Sequence, residues 1–442
     1  MKVAFIAMSG VRIQSQELID LGVTLPGFVE RGQVIASLPS LAGLILASVT
    51  PEDVHFDYLE VDDVRHHGVR TDYDLVAFST FTAMAYECYE LAERYRYAGV
   101  PVVIGGLHAT LVPEEAKRHA DAVCVGEGEA LWPVILEDAR RGRLRPFYRE
   151  DHPGTHDVSR TPTPRYALLD ISRYNRLTVQ TSRGCPLDCE FCAASKIFGR
   201  YRIRPVETVM RDVDAVVVIW ERPFLELADD NTFVNKRWAK EFLREMCRRD
   251  IRWFTETDVS VADDPELLDL LADSGCRQVL IGFESIFSDS LDGLDRANWK
   301  RKRMDDYRRA IDAIQSRGVT VNGCFILGLD GDTPDSFPAI RDFVLESGLL
   351  ESQITVLTPF PGTRLYERLK AEGRLLQGEY WDRCTLFDVN FVPKRMSARD
   401  LEEGLLYLFA ELYNEEVYRR RQRHYMEIQR RLQAPAPDAD AT

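Results

Sequence analysis

The sequence predicts an α/β protein: a doubly wound parallel sheet, then a six-stranded partial barrel, then a small helical C-terminal region. Three observations predict it. Short apolar runs alternate with helix-length periodic segments through most of the 442 residues, the pattern of parallel strands covered by helices. A stretch over 150–164, rich in proline and scattered charge and without apolar periodicity, separates two such series. No apolar run approaches the roughly 18 residues of a membrane-spanning helix; the longest candidate, Ser37 to Val49, carries Pro39 near its start.

The first series has strands at Val3–Ala7, His55–Val61, Asp74–Ser79, Val102–Gly105 and Ala122–Val125. Between the third and fourth, Ala85–Tyr97 places Ala85, Cys88, Leu91 and Ala92 on one helical face, as a crossover helix requires. Ligands of such sheets sit beyond the carboxyl ends of the strands. Three loops there are built of small or polar residues: Ser79-Thr80-Phe81-Thr82, Gly105-Gly106-Leu107-His108-Ala109-Thr110 and Gly126-Glu127-Gly128-Glu129. The second series has strands at Leu177–Thr181, Phe224–Ala228, Trp253–Thr257, Val279–Phe283, Val321–Leu327 and Gln353–Leu357. Six parallel strands with intervening helices predict a partial barrel of TIM type, with its chemistry at the carboxyl ends. The expected divisions are 1–149, a linker over 150–175, a barrel over 176–377 and a helical C-terminal region over 378–442 whose Ala434–Asp438 end is frayed. There is no internal repeat.

Composition narrows the function classes. Hydrophobic residues make up 45% and charged residues 29%, a globular balance with apolar material for more than one core. With 56 Lys and Arg against 71 Asp and Glu, the net charge of −15 disfavours sequence-independent binding to nucleic acid. Nine scattered cysteines do not make a disulfide scaffold, and Met1–Ile6 reads as a strand and not as a signal peptide, so a reducing cytoplasm is the expected compartment. One basic cluster, Arg419, Arg420, Arg421, Arg423, Arg430 and Arg431, falls on a terminal helix; its expected role is a solvated face, with contact to an anionic membrane or substrate as the alternative.

The chemistry concentrates in Cys185, Cys189 and Cys192, three thiols within eight positions directly after a strand. Soft thiolates select iron–sulfur clusters, zinc or cuprous ions over hard cations. Structural zinc is closed by four protein ligands, and no fourth cysteine or histidine lies nearby in sequence, so a centre with one open position is expected. Zinc closed by a distant partner such as Cys384 is the alternative. Most of the six other cysteines read as small buried apolar residues.

This C-x-x-x-C-x-x-C after a strand resembles the signature of the radical S-adenosylmethionine superfamily. The resemblance implies a [4Fe–4S] cluster held by the three cysteines. Its fourth iron would bind S-adenosylmethionine, whose reductive cleavage gives a 5′-deoxyadenosyl radical. It further implies an external electron donor of flavodoxin or ferredoxin type. Family members often place Gly-Gly-Glu after the second barrel strand to hold the amino group of S-adenosylmethionine; here the run is Asp229-Asp230-Asn231, so Asp230 and Asn231 take that place, or else cap a helix. Glu256 and Glu284 end the third and fourth strands, and Glu284 is the favoured acceptor of ribose hydroxyls. Gly328, in Phe325–Asp332, resembles the segment that packs along adenine, and Leu357–Thr363 resembles a turn of the cobalamin-dependent branch.

A doubly wound sheet upstream of a radical barrel resembles the Rossmann-like cobalamin-binding domain of that branch. By this resemblance Ser79, Thr80, Gly105, Gly106, His108, Thr110, Gly126, Glu127 and Gly128 line the corrin pocket, with His108 not a cobalt ligand but either bonding a loop carbonyl or a cofactor amide or standing as a satisfied structural histidine. The D-x-H-x-x-G run that supplies a lower histidine ligand elsewhere is missing between Val3 and Ile45, which implies histidine-off cobalamin, with an empty vestigial module as the alternative. The function implied is a cobalamin-dependent radical methyltransferase acting on an unactivated carbon of a small-molecule or lipid substrate. A radical cyclase or rearrangement enzyme on the same scaffold, and a non-enzymatic zinc module, are the alternatives.

Overall fold

The computed structural model describes residues 1–8, 10–21, 38–150, 152, 154–377 and 380–433. In the first sheet, β1 (Lys2–Met8), β2 (His55–Glu60), β3 (Leu75–Thr80), β4 (Val102–Gly105), β5 (Ala122–Val125) and β6 (Phe147–Arg149) pair in the order β2-β1-β3-β4-β5-β6. All five pairings are parallel. The order reverses at β1, which puts the crevice of the sheet beyond Met8 and Thr80. Side chains alternate between two apolar layers, Ala4, Ile6, Val76 and Phe78 on one face and Val3, Phe5, Leu75 and Ala77 on the other, so both faces are covered. The helix Ala85–Tyr97 occupies its expected span and buries Ala85, Cys88, Leu91 and Ala92. Only β6 is unexpected; its Phe-Tyr-Arg offers neither an apolar run nor a period.

The second unit runs through β7 (Leu177–Val179), β8 (Ser182–Arg183), β9 (Arg202–Ile203), β10 (Phe224–Leu227), β11 (Arg252–Thr257), β12 (Cys276–Glu284), β13 (Thr320–Leu327) and β14 (Glu351–Val356). Six of these form a parallel sheet in the sequential order β7-β10-β11-β12-β13-β14, with helices such as Val206–Ile219, Lys236–Met246, Tyr307–Gln315 and Ser336–Glu346 following its strands. Sequential same-handed crossovers put the helices outside and leave the inner face to the site. The outer layer is one continuous apolar core; Phe283, for example, packs against Phe325 at 5.7 Å and Tyr307 at 4.4 Å between ring centres. Each of the six expected barrel strands is present. The two-stranded antiparallel ribbon β8–β9 was not foreseen.

Two connecting segments carry detail that the sequence does not give. The described residues of 150–175 form three single-turn helices, and Tyr166 there is buried with its hydroxyl donating to the Thr178 carbonyl at 2.8 Å, so the stretch packs as part of the body. Residues 380–397 are irregular apart from the turn Trp381–Arg383, and they bury Tyr380, Trp381, Cys384, Phe387 and Phe391; helix resumes at Ala398–Leu412 and Glu415–Gln433. Closely spaced aromatic residues had no helical period to follow and filled the seam between the two units instead. On the last helix, Arg419, Arg420, Arg423 and Arg430 are exposed, although Arg420 also reaches the Leu345 carbonyl at 3.3 Å. Among the described residues no helix is long and apolar enough to cross a membrane. The expected fraying of Ala434–Asp438 concerns positions outside the described residues.

Candidate active site

The ribbon β8–β9 closes the base of a loop, 184–201, that carries all three clustered cysteines. Gly184 opens the loop at φ +78°, and a Cβ there would lie 3.0 Å from the carbonyl oxygens of Gly199 and Arg200, so only glycine lets the two ends of the loop approach. The loop is pinned to the barrel through its backbone. Glu190 N–H donates to the Leu294 carbonyl (2.9 Å), Arg296 N–H to Leu187 (2.8 Å) and Leu365 N–H to Glu190 (3.1 Å). Asp188, itself at φ +49°, accepts from Arg364 at 2.8 Å.

The thiols fit a cluster by their surroundings. Burial pushes Cys185 up to about 11 and raises Cys189 and Cys192 as well, which keeps the free thiols protonated. Against that, the Leu187 N–H faces the Cys185 sulfur, the N–H groups of Ala194 and Ser195 face Cys192, whose carbonyl accepts from the Ser195 hydroxyl at 3.1 Å, and the Lys300 ammonium acts on Cys189. Amide donors and a cation aimed at sulfur are what an iron–sulfur centre uses to stabilise its thiolates. Among the described residues no group of three His, Cys, Asp or Glu side chains gathers round a single ion position. Cys384 is committed elsewhere: it is buried in the core beneath the first sheet, where its sulfur accepts from Asn390 at 3.9 Å.

The strand ends around this loop are acidic. Asp229 is a structural knot, accepting from the N–H groups of Thr181 and Ser182 (both 2.8 Å) and from two threonine hydroxyls, and so ties β10 to the start of the cysteine loop. Asp230 turns to the cysteines; burial and then the neighbouring Asp229 push it up to about 6, opposed by a bond from the Gly184 N–H. Burial, with Glu226, Asp230, Glu284 and Asp229 around it, pushes Glu256 up to about 8. Crowded carboxyls of this kind favour a bound cation, and S-adenosylmethionine carries a sulfonium and an ammonium. Asn231 is a different case from Asp230: its amide is used by Asp258 (2.7 Å) and Thr257 (3.4 Å).

Glu284 has φ +62°, a strained conformation for a glutamate, at a bulge in the β12–β13 pairing. One carboxylate oxygen meets Lys300 Nζ at 2.9 Å, and Lys300 also donates to the Gly282 carbonyl at 2.6 Å. A Cβ on Gly282 would lie 2.5 Å from that carboxylate, so the glycine is what admits the pair. Lys300 was missed in the sequence because it sits in the basic run Lys300–Arg303, of which it alone is buried. Gly328 has φ +90°, and the space its Cβ would fill is taken by Leu401 (2.8 Å) and Phe391 (3.0 Å); packing of the C-terminal region thus explains the glycine without any adenine.

The first-sheet loops also come together. Gly106, at φ +90°, lies so close to β3 that a Cβ would stand 2.6 Å from Ser79 Oγ and 3.0 Å from Thr80 N. Thr110 donates its hydroxyl to the Gly106 carbonyl (2.8 Å) and accepts from the Gly126 N–H (3.1 Å), stitching the second and third loops. Gly106→Ala is expected to destabilise the protein by about 1–3 kcal/mol and to weaken corrin binding, checked by denaturant unfolding and cobalamin titration. Two members of the expected pocket are otherwise engaged. His108 is fully buried, its ring nitrogens 3.0 Å from the Tyr89 hydroxyl and 3.3 Å from that of Thr82, and Trp381 lies against it, so it is a satisfied structural histidine. Glu127 points its carboxylate across to the cysteine loop, where it pairs with Arg183 and, at 2.8 Å, with Arg202.

Comparison with known proteins agrees with this architecture. Residues 179–344 match the radical SAM superfamily, 40–136 the B12 binding domain, and 363–440 a domain of unknown function, DUF4070. An uncharacterized methyltransferase of Synechocystis sp. is 30% identical over 86% of this chain and 72% of its own length. The bacteriochlorophyllide d C-12(1)-methyltransferase of Chlorobaculum tepidum is 27% identical over 81% of this chain and 79% of its own. In fold, the radical S-adenosylmethionine methyltransferase TsrM from Kitasatospora setae, solved with cobalamin and a [4Fe–4S] cluster, superposes with a TM-score of 0.69 at 15% identity, covering 98% of this chain and 100% of that one. A doubly wound sheet, a radical barrel and a three-cysteine loop between them define an enzyme that joins a corrin to S-adenosylmethionine chemistry. The chain belongs to the cobalamin-dependent radical S-adenosylmethionine family, with a [4Fe–4S] cluster, S-adenosylmethionine and cobalamin as its cofactors.

Proposed function

We propose that this enzyme is a methyltransferase that installs a methyl group on an unactivated carbon of a small-molecule or lipid substrate. The observation that carries the reading is the direct seam between the loop 126–129 of the first sheet and the cysteine loop of the barrel, which brings two cofactor-bearing ends to one place. When bound, the cluster with S-adenosylmethionine supplies a hydrogen-abstracting radical and the corrin supplies the methyl group. The chain's own part is aim and charge. In this reading Cys185, Cys189 and Cys192 hold the cluster, and Asp230 receives the ammonium of S-adenosylmethionine. Glu284, steadied by Lys300, accepts ribose hydroxyls. The backbone at Ser79, Thr80, Gly105, Gly106, Gly126 and Gly128 offers N–H and carbonyl groups to neutral corrin amides. A flavodoxin- or ferredoxin-type donor supplies electrons in a reducing cytoplasm. Curated relatives named as methylating enzymes support the assignment, among them the Hopanoid C-2 methylase of Rhodopseudomonas palustris, 26% identical over 78% of this chain.

A second reading is a radical cyclisation on the same scaffold. It is favoured by the anaerobic magnesium-protoporphyrin IX monomethyl ester cyclase of Rubrivivax gelatinosus, 24% identical over 79% of this chain. Product mass separates the two. The anaerobically reconstituted enzyme, incubated with S-adenosylmethionine, a reductant and an extract of the host's apolar metabolites, is expected to yield a product heavier by one methylene unit together with 5′-deoxyadenosine and S-adenosylhomocysteine. A product lighter by hydrogen, with no S-adenosylhomocysteine, would establish the cyclase instead.

A further inference from the structure

The ribbon at the base of the cysteine loop sets two arginines directly opposite each other, Arg183 on β8 and Arg202 on β9. Like charges facing across an antiparallel pair repel and would splay the ribbon. The counter-charge is supplied from the other unit. The carboxylate of Glu127 lies between them, one oxygen on Arg183 and the other 2.8 Å from Arg202, while Glu129 takes the second arm of Arg183 at 2.5 Å. All of this is out of water: the Arg183, Glu127, Glu129 and Arg202 side chains are each at most 9% exposed. Glu127 is itself fixed, its N–H donating to Glu150 at 3.3 Å, and Arg202 also grips the carbonyls of His156 (2.7 Å) and Phe198 (3.1 Å). A buried Arg–carboxylate pair is directional and cannot slide without losing hydrogen bonds, so it fixes register better than an apolar contact does.

We propose that Glu127, which the sequence placed among the corrin-lining residues, is instead a positioning residue: by bridging Arg183 and Arg202 it locks the cysteine loop in register with the first sheet, so that S-adenosylmethionine on one side faces the corrin on the other. This rests on the methyltransferase reading, in which both groups must meet. Reductive cleavage of S-adenosylmethionine needs only the barrel and an electron, whereas transfer of its methyl group to the reduced corrin breaks the S–CH3 bond, forms a Co–C bond and releases S-adenosylhomocysteine only if the two units are aligned. A displacement of about 1 Å is enough to cost on the order of 100-fold in such a transfer.

The test uses the full chain with hydroxocobalamin, S-adenosylmethionine and titanium(III) citrate as the one-electron reductant, without substrate. In Glu127→Gln, which keeps the shape and removes the charge, single-turnover S-adenosylhomocysteine formation is expected to fall by about 10–100-fold, while 5′-deoxyadenosine formation and iron content stay within about threefold of the parent. Glu127→Asp should recover part of the loss. In the cofactor-free chain, hydrogen exchange of the amides over 184–201 should quicken in Glu127→Gln with little change elsewhere. Arg202→Gln, which releases only one of the two carboxylate oxygens, should give a smaller effect of the same kind and serves if Glu127→Gln does not fold. Unchanged exchange together with unchanged S-adenosylhomocysteine formation overturns the proposal, as does an equal loss of both products in folded, iron-loaded protein. If the parent itself makes no S-adenosylhomocysteine, the methyltransferase reading fails, and the exchange measurement still decides whether Glu127 sets the loop.

Discussion

Alanine at any one of Cys185, Cys189 or Cys192 is expected to take iron from about four per chain to near zero and 5′-deoxyadenosine formation to background. The reason lies in the arithmetic of the site. In the proposed arrangement three cysteines hold a four-iron cluster and leave one iron for S-adenosylmethionine; losing one cysteine strips a second iron of its protein ligand, and nothing in the loop replaces it. Neighbouring acids do not substitute, since Asp230 is bonded to the Gly184 N–H and Glu284 is paired with Lys300. The contrast is with the other cysteines. Cys247 is exposed at the end of the helix Lys236–Met246, so Cys247→Ser should change neither iron nor product. Cys88 and Cys276 are buried in the two cores, and alanine there should lower stability while iron is retained. Anaerobic iron analysis, visible absorption and quantitation of 5′-deoxyadenosine across this set decide the matter; retention of iron and turnover in Cys189→Ala would overturn the assignment of the loop.

What could be read from the sequence followed from periodicity, and what could not followed from its absence. The six barrel strands mix apolar residues that pack under the outer helices with polar ones that face the site, and each lies in place within a few residues of its expected span. The helix Ala85–Tyr97 declared itself through its 3.6-residue stripe. By contrast β8 and β9 have two residues each, too few for any period, and β8–β9 forms because a glycine at 184 lets the chain double back. The cysteine triplet was legible since its spacing is itself the chemistry. The partners of the triplet were not. Arg183 stands beside Gly184 in plain view, yet its significance depends on Glu127 and Glu129, which are 56 and 54 residues away. For His108 the sequence leaves a cofactor contact and a structural histidine open, and the packing of Tyr89 and Trp381 around it favours the second.

Lys300 presents the same difficulty and carries the second large expected effect. Burial pulls its ammonium down, and Glu284 and Cys189 more than offset this, so it is held charged. Lys300→Met is expected to cost about 3–5 kcal/mol, because the Glu284 carboxylate would then be buried at 7% exposure with no cation. Glu284→Gln should be costly for the mirror-image reason. Removing both charges in Lys300→Met/Glu284→Gln should destabilise by less than the sum of the single changes, since no lone charge is left buried; a coupling of at least about 2 kcal/mol in denaturant unfolding would be the sign. Additive losses would mean that each side chain acts through separate neighbours. A second consequence separates this pair from ordinary structural ion pairs. Lys300 is the cation that acts on Cys189, so its loss removes positive charge from beside the cluster and favours the more oxidised, less negative state. The reduction potential of the reconstituted cluster in Lys300→Met should therefore shift downward, whereas Lys302→Met, two residues along on an exposed face, should leave it where it was.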